Sequence, residues 1–584
     1  MIQTSSEMQL IELIASAGGG SFSIKGEITD VTGEKIPAIR MQVIPPSAAE
    51  PESFTLVDLA FIRKLAAIPD LLQEARLAAL RTHVLDAAAA PPPPDILIHA
   101  AIPENVVVQV NAPALLLQGP SATLAGGDSI DDVVYALRKM LAVVGIDPEA
   151  KSASAESASC RLTPLLPVLR GLLARPTEQD NPYQRIIVRA LSTWEVLDFL
   201  AMDGAQARTD AMPLCEAHAE YLGGRPLWVE IADASDPAHV REQVAAALSA
   251  YAEKHAGAMP RVVLLPGLGA VCAGADAREA HRAAVLTGLA LTALHRTAAS
   301  PKTQEFVQAQ PAIAGLPLHG HVALVTGAAG AIGAGICRGL LLQGCHVAVT
   351  DLASERLDAL VNELREIDAE RVIGVPLDVT SAESVDGGIA QIVEAWGGVD
   401  IAIINAGVAH VSPLAEMDLE VFRRLERINV EGALLLLRAM ARHFKLQNTG
   451  GDIVMISTKN VFAPGATFGA YSATKAAAHQ LARIACLELA DIGVRVNMVA
   501  PDAVFSDHGT RKSGLWQEVG PSRMRARGLD EAGLEEYYRS RNLLKARITP
   551  DHVANAVLFF VTRQTPTTGA TIPVDGGLPD AVPR

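Results

Sequence analysis

Beyond about residue 320, short runs of Val, Ile and Ala alternate with stretches whose apolar residues recur every three or four positions. An uninterrupted apolar run of four to eight residues suits a strand buried on both faces, and the helical period between such runs supplies crossovers. The pattern predicts strands at His321–Val325, His346–Thr350, Val372–Pro376, Ile401–Ile404, Asp452–Ser457, Arg495–Ala500 and Thr571–Val574. Seven strands in that rhythm predict an α/β fold with a doubly wound parallel sheet of the Rossmann type. The first half reads as a second α/β region, broken by the run Pro91–Pro94 and by a polar loop at Pro176–Pro182. Between the halves, Ala298–Gly320 is interrupted by Pro and Gly and has no clean period, which marks a linker. The reading is therefore residues 1–297, a linker 298–320, and residues 321–584, with no internal repeat.

Composition narrows the function classes. Apolar residues make up 49% and charged residues 20%, a globular balance over a length that calls for more than one domain. A net charge of −16 opposes broad attraction to nucleic acid or anionic lipid, and no basic run offsets it. The six cysteines include no C-x-x-C pair, which fits a reducing compartment and gives no thiolate zinc site. The first twenty residues lack a basic stretch followed by a long apolar core, and no apolar run approaches the ~20 residues of a membrane span. A soluble, cytoplasmic chain is expected, without nucleic-acid or membrane partners.

Chemistry enters at the first predicted strand of the second half. VALVTG runs into the turn TGAAGAIG (Thr326 to Gly333) and then into a helical stretch. Such a turn lets backbone amides and a helix N-terminus approach a pyrophosphate. Gly327, Ala329, Gly330, Ile332 and Gly333 are the candidate contacts. The second strand ends in an acid, Asp351, followed by Leu352. A carboxylate there accepts hydrogen bonds from ribose hydroxyls and repels a 2′-phosphate, which favours NAD; a surface Asp capping the next helix is the plainer alternative. Asp378 and Val379 follow the third strand, and Asn405-Ala406-Gly407 the fourth, where small residues admit a cofactor.

YSATKAA sets Tyr471 and Lys475 four apart, on one face of a helix. A phenol near pKa 10 is a poor base at neutral pH unless a nearby cation stabilises the phenolate. Tyr-x-x-x-Lys is common by chance and gains weight here from its position downstream of the nucleotide turn. TGAAGAIG, LDVT, NAG, INVEG, IVMIST, YSATK and VNMVAP stand in the order of the short-chain dehydrogenase/reductase family, which residues 321–584 resemble. The resemblance implies Tyr471 as general acid/base, Lys475 as its pKa-lowering partner and ribose anchor, Asn429 as holder of a proton-relay water, and Pro501 and Ala503 at the cofactor. It also implies a homo-oligomer, dimer or tetramer, paired through the Tyr–Lys helix; the small-residue stripe of that helix suits pairing or simply packing on the sheet.

Three departures from the family pattern matter. Ala331 replaces the middle glycine of the turn, and Asp502 follows Pro501 where the family writes Gly. The substrate-orienting hydroxyl falls on Thr458, with Ser457 as the alternative, since successive strand side chains face opposite ways. The polar segment from Phe505 to about Lys545 sits where the family carries its substrate lid. Arg511, Lys512, Trp516 and Arg523 are candidates there to meet an anionic or polar substrate, or else form a solvated helix face.

The whole chain is similar to the fused class II aldolase/short-chain dehydrogenase group, whose members include rhamnulose-phosphate aldolase/lactaldehyde dehydrogenase-like proteins. That makes residues 1–297 an aldolase/adducin-like domain, with Gly20–Lys25 as a phosphate turn and Pro260–Val271 as a late strand and turn. The group's zinc histidines are not carried over: Gln109, Asn111 and Arg170 stand at those positions, and an Arg cannot ligate. Asp95, at the group's carboxylate position, has no metal to work with, and His99 reads as structural. We expect no metal and a degenerate, non-catalytic first half. The leading expectation is an NAD-dependent oxidoreductase for a small polar hydroxy compound. A bifunctional aldolase/dehydrogenase with an altered metal site and a nucleotide-binding scaffold are the alternatives.

Overall fold

The computed structural model describes residues 156–177, 182–213, 222, 224–296, 315–507 and 511–579, and the backbone of six strands before them. Those six are β1 (Ser21–Thr29), β2 (Lys35–Val43), β3 (Glu52–Val57), β4 (Val110–Asn111), β5 (Ala114–Gln118) and β6 (Thr123–Gly127), forming two three-stranded antiparallel sheets. The expected phosphate turn at Gly20–Lys25 is strand from Ser21 onward, with a register shift between Ile24 and Glu27. Asp95, His99 and Gln109 lie outside the described residues, as does the side chain of Asn111.

A small pair, β7 (Arg175–Pro176) and β8 (Tyr183–Gln184), precedes a four-stranded sheet ordered β10-β11-β12-β9. Its strands are β9 (Ile187–Leu191), β10 (Leu227–Trp228), β11 (Val262–Leu265) and β12 (Gly269–Gly274). The late strand and turn expected near Pro260 is the β11–β12 hairpin, which turns on Gly267 and Gly269, both at positive φ. Alternation along β11 sets the two faces. Val262 and Leu264 pack with Val196, Phe199 and Ala283, whereas Val263 and Leu265 join Leu166, Leu169, Val240 and Val244.

The last described part is a seven-stranded, all-parallel sheet ordered β15-β14-β13-β16-β17-β18-β21. Its strands are β13 (Val322–Val325), β14 (His346–Asp351), β15 (Val372–Pro376), β16 (Ile401–Ile404), β17 (Gly451–Ile456), β18 (Val494–Pro501) and, after the short hairpin β19 (Ser506–Asp507) and β20 (Arg511–Lys512), β21 (Thr571–Val574). Each lies within two residues of its predicted span. Side-chain caps start the crossover helices: Ser354 accepts from Leu357 N–H, Ser381 from Ser384 N–H, and Thr549 forms a capping box with His552. The strand order reverses between β13 and β16, which opens a crevice at the carboxyl ends of the strands.

The two sheets share a core. Leu166, Leu169 and Leu173 cluster with Trp396, Met440 and Phe444 of the parallel-sheet half. A buried polar knot sits in the same seam. All five N–H groups of Arg170 are used, on Asp400 Oδ1 and Oδ2, Gln447 Oε1, and the carbonyls of Ile186 and Gly320. Arg185 adds an ion pair of 3.2 Å to Asp400. Asp400 stands at the amino end of β16, so the first half braces the edge of the sheet opposite the crevice. Arg170, at an erstwhile ligand position by resemblance, is thus a structural clamp. Among the described residues no group of three or more His, Cys, Asp or Glu is placed to hold a metal, and no helix is long and apolar enough to cross a membrane.

Candidate active site

One cleft of about 1780 Å3 runs along the crevice. Gly327, Ala329, Gly330, Ile332, Gly333, Asp351, Leu352, Asp378, Val379, Asn405, Ala406, Gly407, Ser457, Thr458, Tyr471, Lys475, Pro501 and Ala503 all line it. Asn429 alone of the expected residues does not.

The Gly-rich turn is built from backbone proximity. Gly327 has φ +61°, and a Cβ there would stand 2.8 Å from Ala406 Cα. At Gly333 a Cβ would meet Gly327 O at 2.5 Å, so the helix Ala331–Leu342 can begin this close to its strand only with glycine. Ala331, where the family has glycine, occupies the first helical position and is buried. Asn405 ties the two central strands together, donating from Nδ2 to the carbonyls of Thr326 and Gly327, both at 2.9 Å. Asp351 is held by Ala329 N–H at 3.0 Å and Leu352 N–H at 2.8 Å, which fixes its carboxylate at the mouth of the turn. These features fit a nicotinamide dinucleotide: bare backbone where a pyrophosphate would lie, and an anchored acid where a ribose would lie.

Tyr471 and Lys475 project from the helix Gly469–Leu489, both buried. Burial pushes the Tyr471 phenol up to about 12, against a hydrogen bond with Thr458 that pulls it down. Burial likewise brings Lys475 down to about 8, and its Nζ donates to Ile456 O at 3.0 Å. A Cβ at Gly407 would stand 3.0 Å from Lys475 Nζ, so a glycine leaves the ammonium its room. The two adjacent hydroxyls separate as alternation requires. Thr458 meets Tyr471, while Ser457 turns inward to His479 Nδ1 at 2.9 Å. Asn429 lies in a π-helical turn, Arg427–Glu431, with its amide engaged by the Val408 backbone in both directions and by Thr474 Oγ1. Such turns inside helices are frequent at functional sites.

A profile of the short chain dehydrogenase family matches residues 321–514, and one for the second domain of class II aldolases matches residues 161–308. Cyclohexanol dehydrogenase of Rhodococcus is 34% identical over 286 residues, 45% of this chain and 97% of that enzyme. Sorbitol dehydrogenase of Cereibacter sphaeroides is 34% identical over 191 residues, 33% of this chain and 73% of that enzyme. The chain belongs to the short-chain dehydrogenase family. It carries the family's Rossmann-type sheet beside a class II aldolase-like domain. An uncharacterized oxidoreductase of Bacillus subtilis, YuxG, is 29% identical over 455 residues, 72% of this chain. The match spans 64% of that relative's length. As a short-chain dehydrogenase the chain is an oxidoreductase of alcohols and ketones that uses a nicotinamide cofactor.

The lid segment divides the four candidate contacts. Arg511 is paired with Asp507 and Glu363, and Lys512 with Glu531. Trp516 stacks on Phe505 with centroids 4.3 Å apart. Arg523 faces the cleft beside Phe468. Lys459, Asp502 and Arg541 also line the cleft and were not singled out as contacts from sequence. Only Asp502 left a trace there, as a departure from the family's Pro-Gly. Burial raises its carboxyl, and Arg541 and Lys459 oppose that rise.

Proposed function

We propose that this protein interconverts a secondary alcohol and its ketone with NAD as the hydride partner, on a small polar hydroxy compound. The observation that carries the reading is the buried Tyr471 phenol in one cleft with the Thr458 hydroxyl that pulls its pKa down, with Lys475 one helical turn away and the anchored Asp351. In the oxidation direction the substrate hydroxyl gives its proton to Tyr471 Oη as the carbinol hydride departs. Thr458 holds the substrate oxygen against that phenol. Lys475 keeps a positive charge beside the phenolate, offsetting the burial that otherwise disfavours it. Asn429 braces the wall through Val408 and holds the relay water that the family resemblance implies. A bound nicotinamide supplies the hydride acceptor and, when oxidised, a second positive charge. Gly327, Gly330 and Gly333 leave backbone free for the pyrophosphate, and the Asp351 carboxylate repels a 2′-phosphate, which supports NAD over NADP.

The aldolase-like half, by this reading, is a metal-free brace, supported by the Arg170–Asp400 clamp that ties it to the sheet. A homo-oligomer is also part of the reading, supported by Ile484 and Leu487 exposed on the outer face of the Tyr–Lys helix. The test is calorimetric titration with NADH and NADPH, followed by a screen of secondary alcohols read by NADH absorbance. Tighter NADH binding with turnover is expected. NADH binding without turnover across the panel points to a scaffold, and tighter NADPH binding overturns the cofactor assignment.

A further inference from the structure

Arg523 belongs to the helix Gly514–Arg527, and only 9% of its surface is exposed. Its guanidinium lies 5.0 Å over the ring of Phe468, whose centroid is 6.1 Å from that of Tyr471. Among the described residues it has no carboxylate or hydrogen-bond partner, and its Nε is buried without one. Other cations nearby are occupied: Arg511 and Lys512 by acids, and Arg527 by Tyr537 Oη at 3.4 Å. A guanidinium does not deprotonate, so burial cannot neutralise it, and a buried charge without a counter-ion is costly. Stacking on Phe468 recovers part of that cost and fixes the plane of the fork. Lys459 and Arg541 stand around the same chamber, Arg541 with its guanidinium carbon 5.0 Å over the Tyr538 ring. Asp502 is the acid facing them. Among the described residues named there, three cations against Asp502 and its neighbour Asp575 still leave an excess of positive charge.

We propose that the chamber beyond Tyr471 is an anion subsite, in which Arg523, flanked by Lys459 and Arg541, binds a carboxylate or phosphate group of the substrate. This deepens the oxidoreductase reading of the cleft and rests on it: the substrate becomes an anionic secondary alcohol or ketone, a hydroxy acid or a phosphorylated polyol. The planar fork of Arg matches either group with two parallel hydrogen bonds. Binding would supply the counter-charge the chamber lacks and hold the reacting carbon near Tyr471.

The experiment measures malonate and inorganic phosphate binding by calorimetry, with and without saturating NADH, in the full chain. At least one anion should bind the unaltered protein, and which one binds separates a carboxylate from a phosphate substrate. Arg523→Gln should weaken that binding about 10- to 100-fold while leaving NADH affinity in place and without lowering the melting temperature. Arg523→Lys should retain part of it, and Arg541→Gln, at a half-buried site, should weaken it less. Failure of both anions to bind, or equal binding by Arg523→Gln, overturns the subsite. Absence of NADH binding instead sinks the oxidoreductase reading, and the anion titrations without NADH still decide the subsite.

Discussion

Arg170 and Asp400, 230 residues apart in the chain, meet as a buried two-pronged pair with Nη2–Oδ2 at 2.6 Å and Nη1–Oδ1 at 3.1 Å. The pair joins the aldolase-like half to the amino end of a central strand of the dehydrogenase sheet. Removing one partner strands the other as a buried charge, which costs roughly 3–5 kcal/mol. Asp400→Asn should cost more than Arg170→Gln, because Arg185 also leans on that carboxylate. Urea unfolding of both variants checks this; a loss below about 1 kcal/mol would show that the clamp is not needed for the folded state.

The same seam contains a contact too close for any side chain. A Cβ at Gly171 would stand 1.8 Å from the carbonyl oxygen of Gln447, and main chain cannot step aside as a flexible side chain does. Gly171→Ala should therefore destabilise the chain by about 1–3 kcal/mol or more through overpacking. Helical propensity alone would stabilise it by up to about 1 kcal/mol, so the sign of the change decides the matter.

Acid should loosen this seam. Burial lowers His321 to about 4, His346 to about 3 and His443 to about 4, from 6.5 when exposed. His346 Nε2 accepts from Ala277 N–H, and His443 Nε2 from Val399 N–H, so both are bonded as neutral rings. In the unfolded chain these rings take up protons below 6.5, which the folded chain refuses until about 4. Stability is thus complete above 6.5 and falls as the pH drops, by about 1.4 kcal/mol per pH unit for each histidine. Unfolding free energies measured near pH 7 and near pH 5 should show the decline, and His443→Gln should make it shallower. A flat profile over that window would contradict the assignment.

The parallel sheet was legible because strands buried on both faces write themselves as uninterrupted apolar runs, and the cofactor turn because its glycines are required by backbone contacts within a single strand-turn-helix unit. The seam was not legible. Arg170 in the run LRGLL carries no sign that its partner lies 230 residues away, and by resemblance it read only as a lost metal ligand. The lid had the same difficulty: four charged or aromatic candidates looked alike until pairing occupied Arg511 and Lys512 and left Arg523, among the described residues, without a carboxylate or hydrogen-bond partner. Asp502 was visible only as a missing glycine, because its neighbours Lys459 and Arg541 come from other parts of the chain.

The proposed preference for NAD rests on one carboxylate. Asp351 is anchored by two backbone N–H groups, so it cannot swing away from an incoming 2′-phosphate. Asp351→Asn keeps an acceptor for one of those two N–H groups and removes the charge. The ratio of KM for NADP to KM for NAD should fall about tenfold or more, since a like-charge contact has been relieved. An unchanged ratio would place the discrimination elsewhere.

The two neighbouring hydroxyls give the sharpest test of the catalytic reading. Thr458 lines the cleft with the Tyr471 phenol and pulls its pKa down, whereas Ser457 points to His479 on the inner side of the strand end. Thr458→Val keeps the shape and removes the hydroxyl, so kcat should fall roughly 100-fold or more, as for the loss of a positioned proton-transfer partner. The hydrogen bond pulls the phenol's pKa down, so its removal should also move the basic limb of the activity profile toward higher pH. Thr458→Ser restores the hydroxyl and should recover most of the rate. Ser457→Ala gives up one neutral hydrogen bond, costing about 1 kcal/mol of stability while leaving kcat within a few fold. If Ser457→Ala is the damaging change and Thr458→Val is silent, the substrate oxygen sits on the other hydroxyl and the assignment of Thr458 fails.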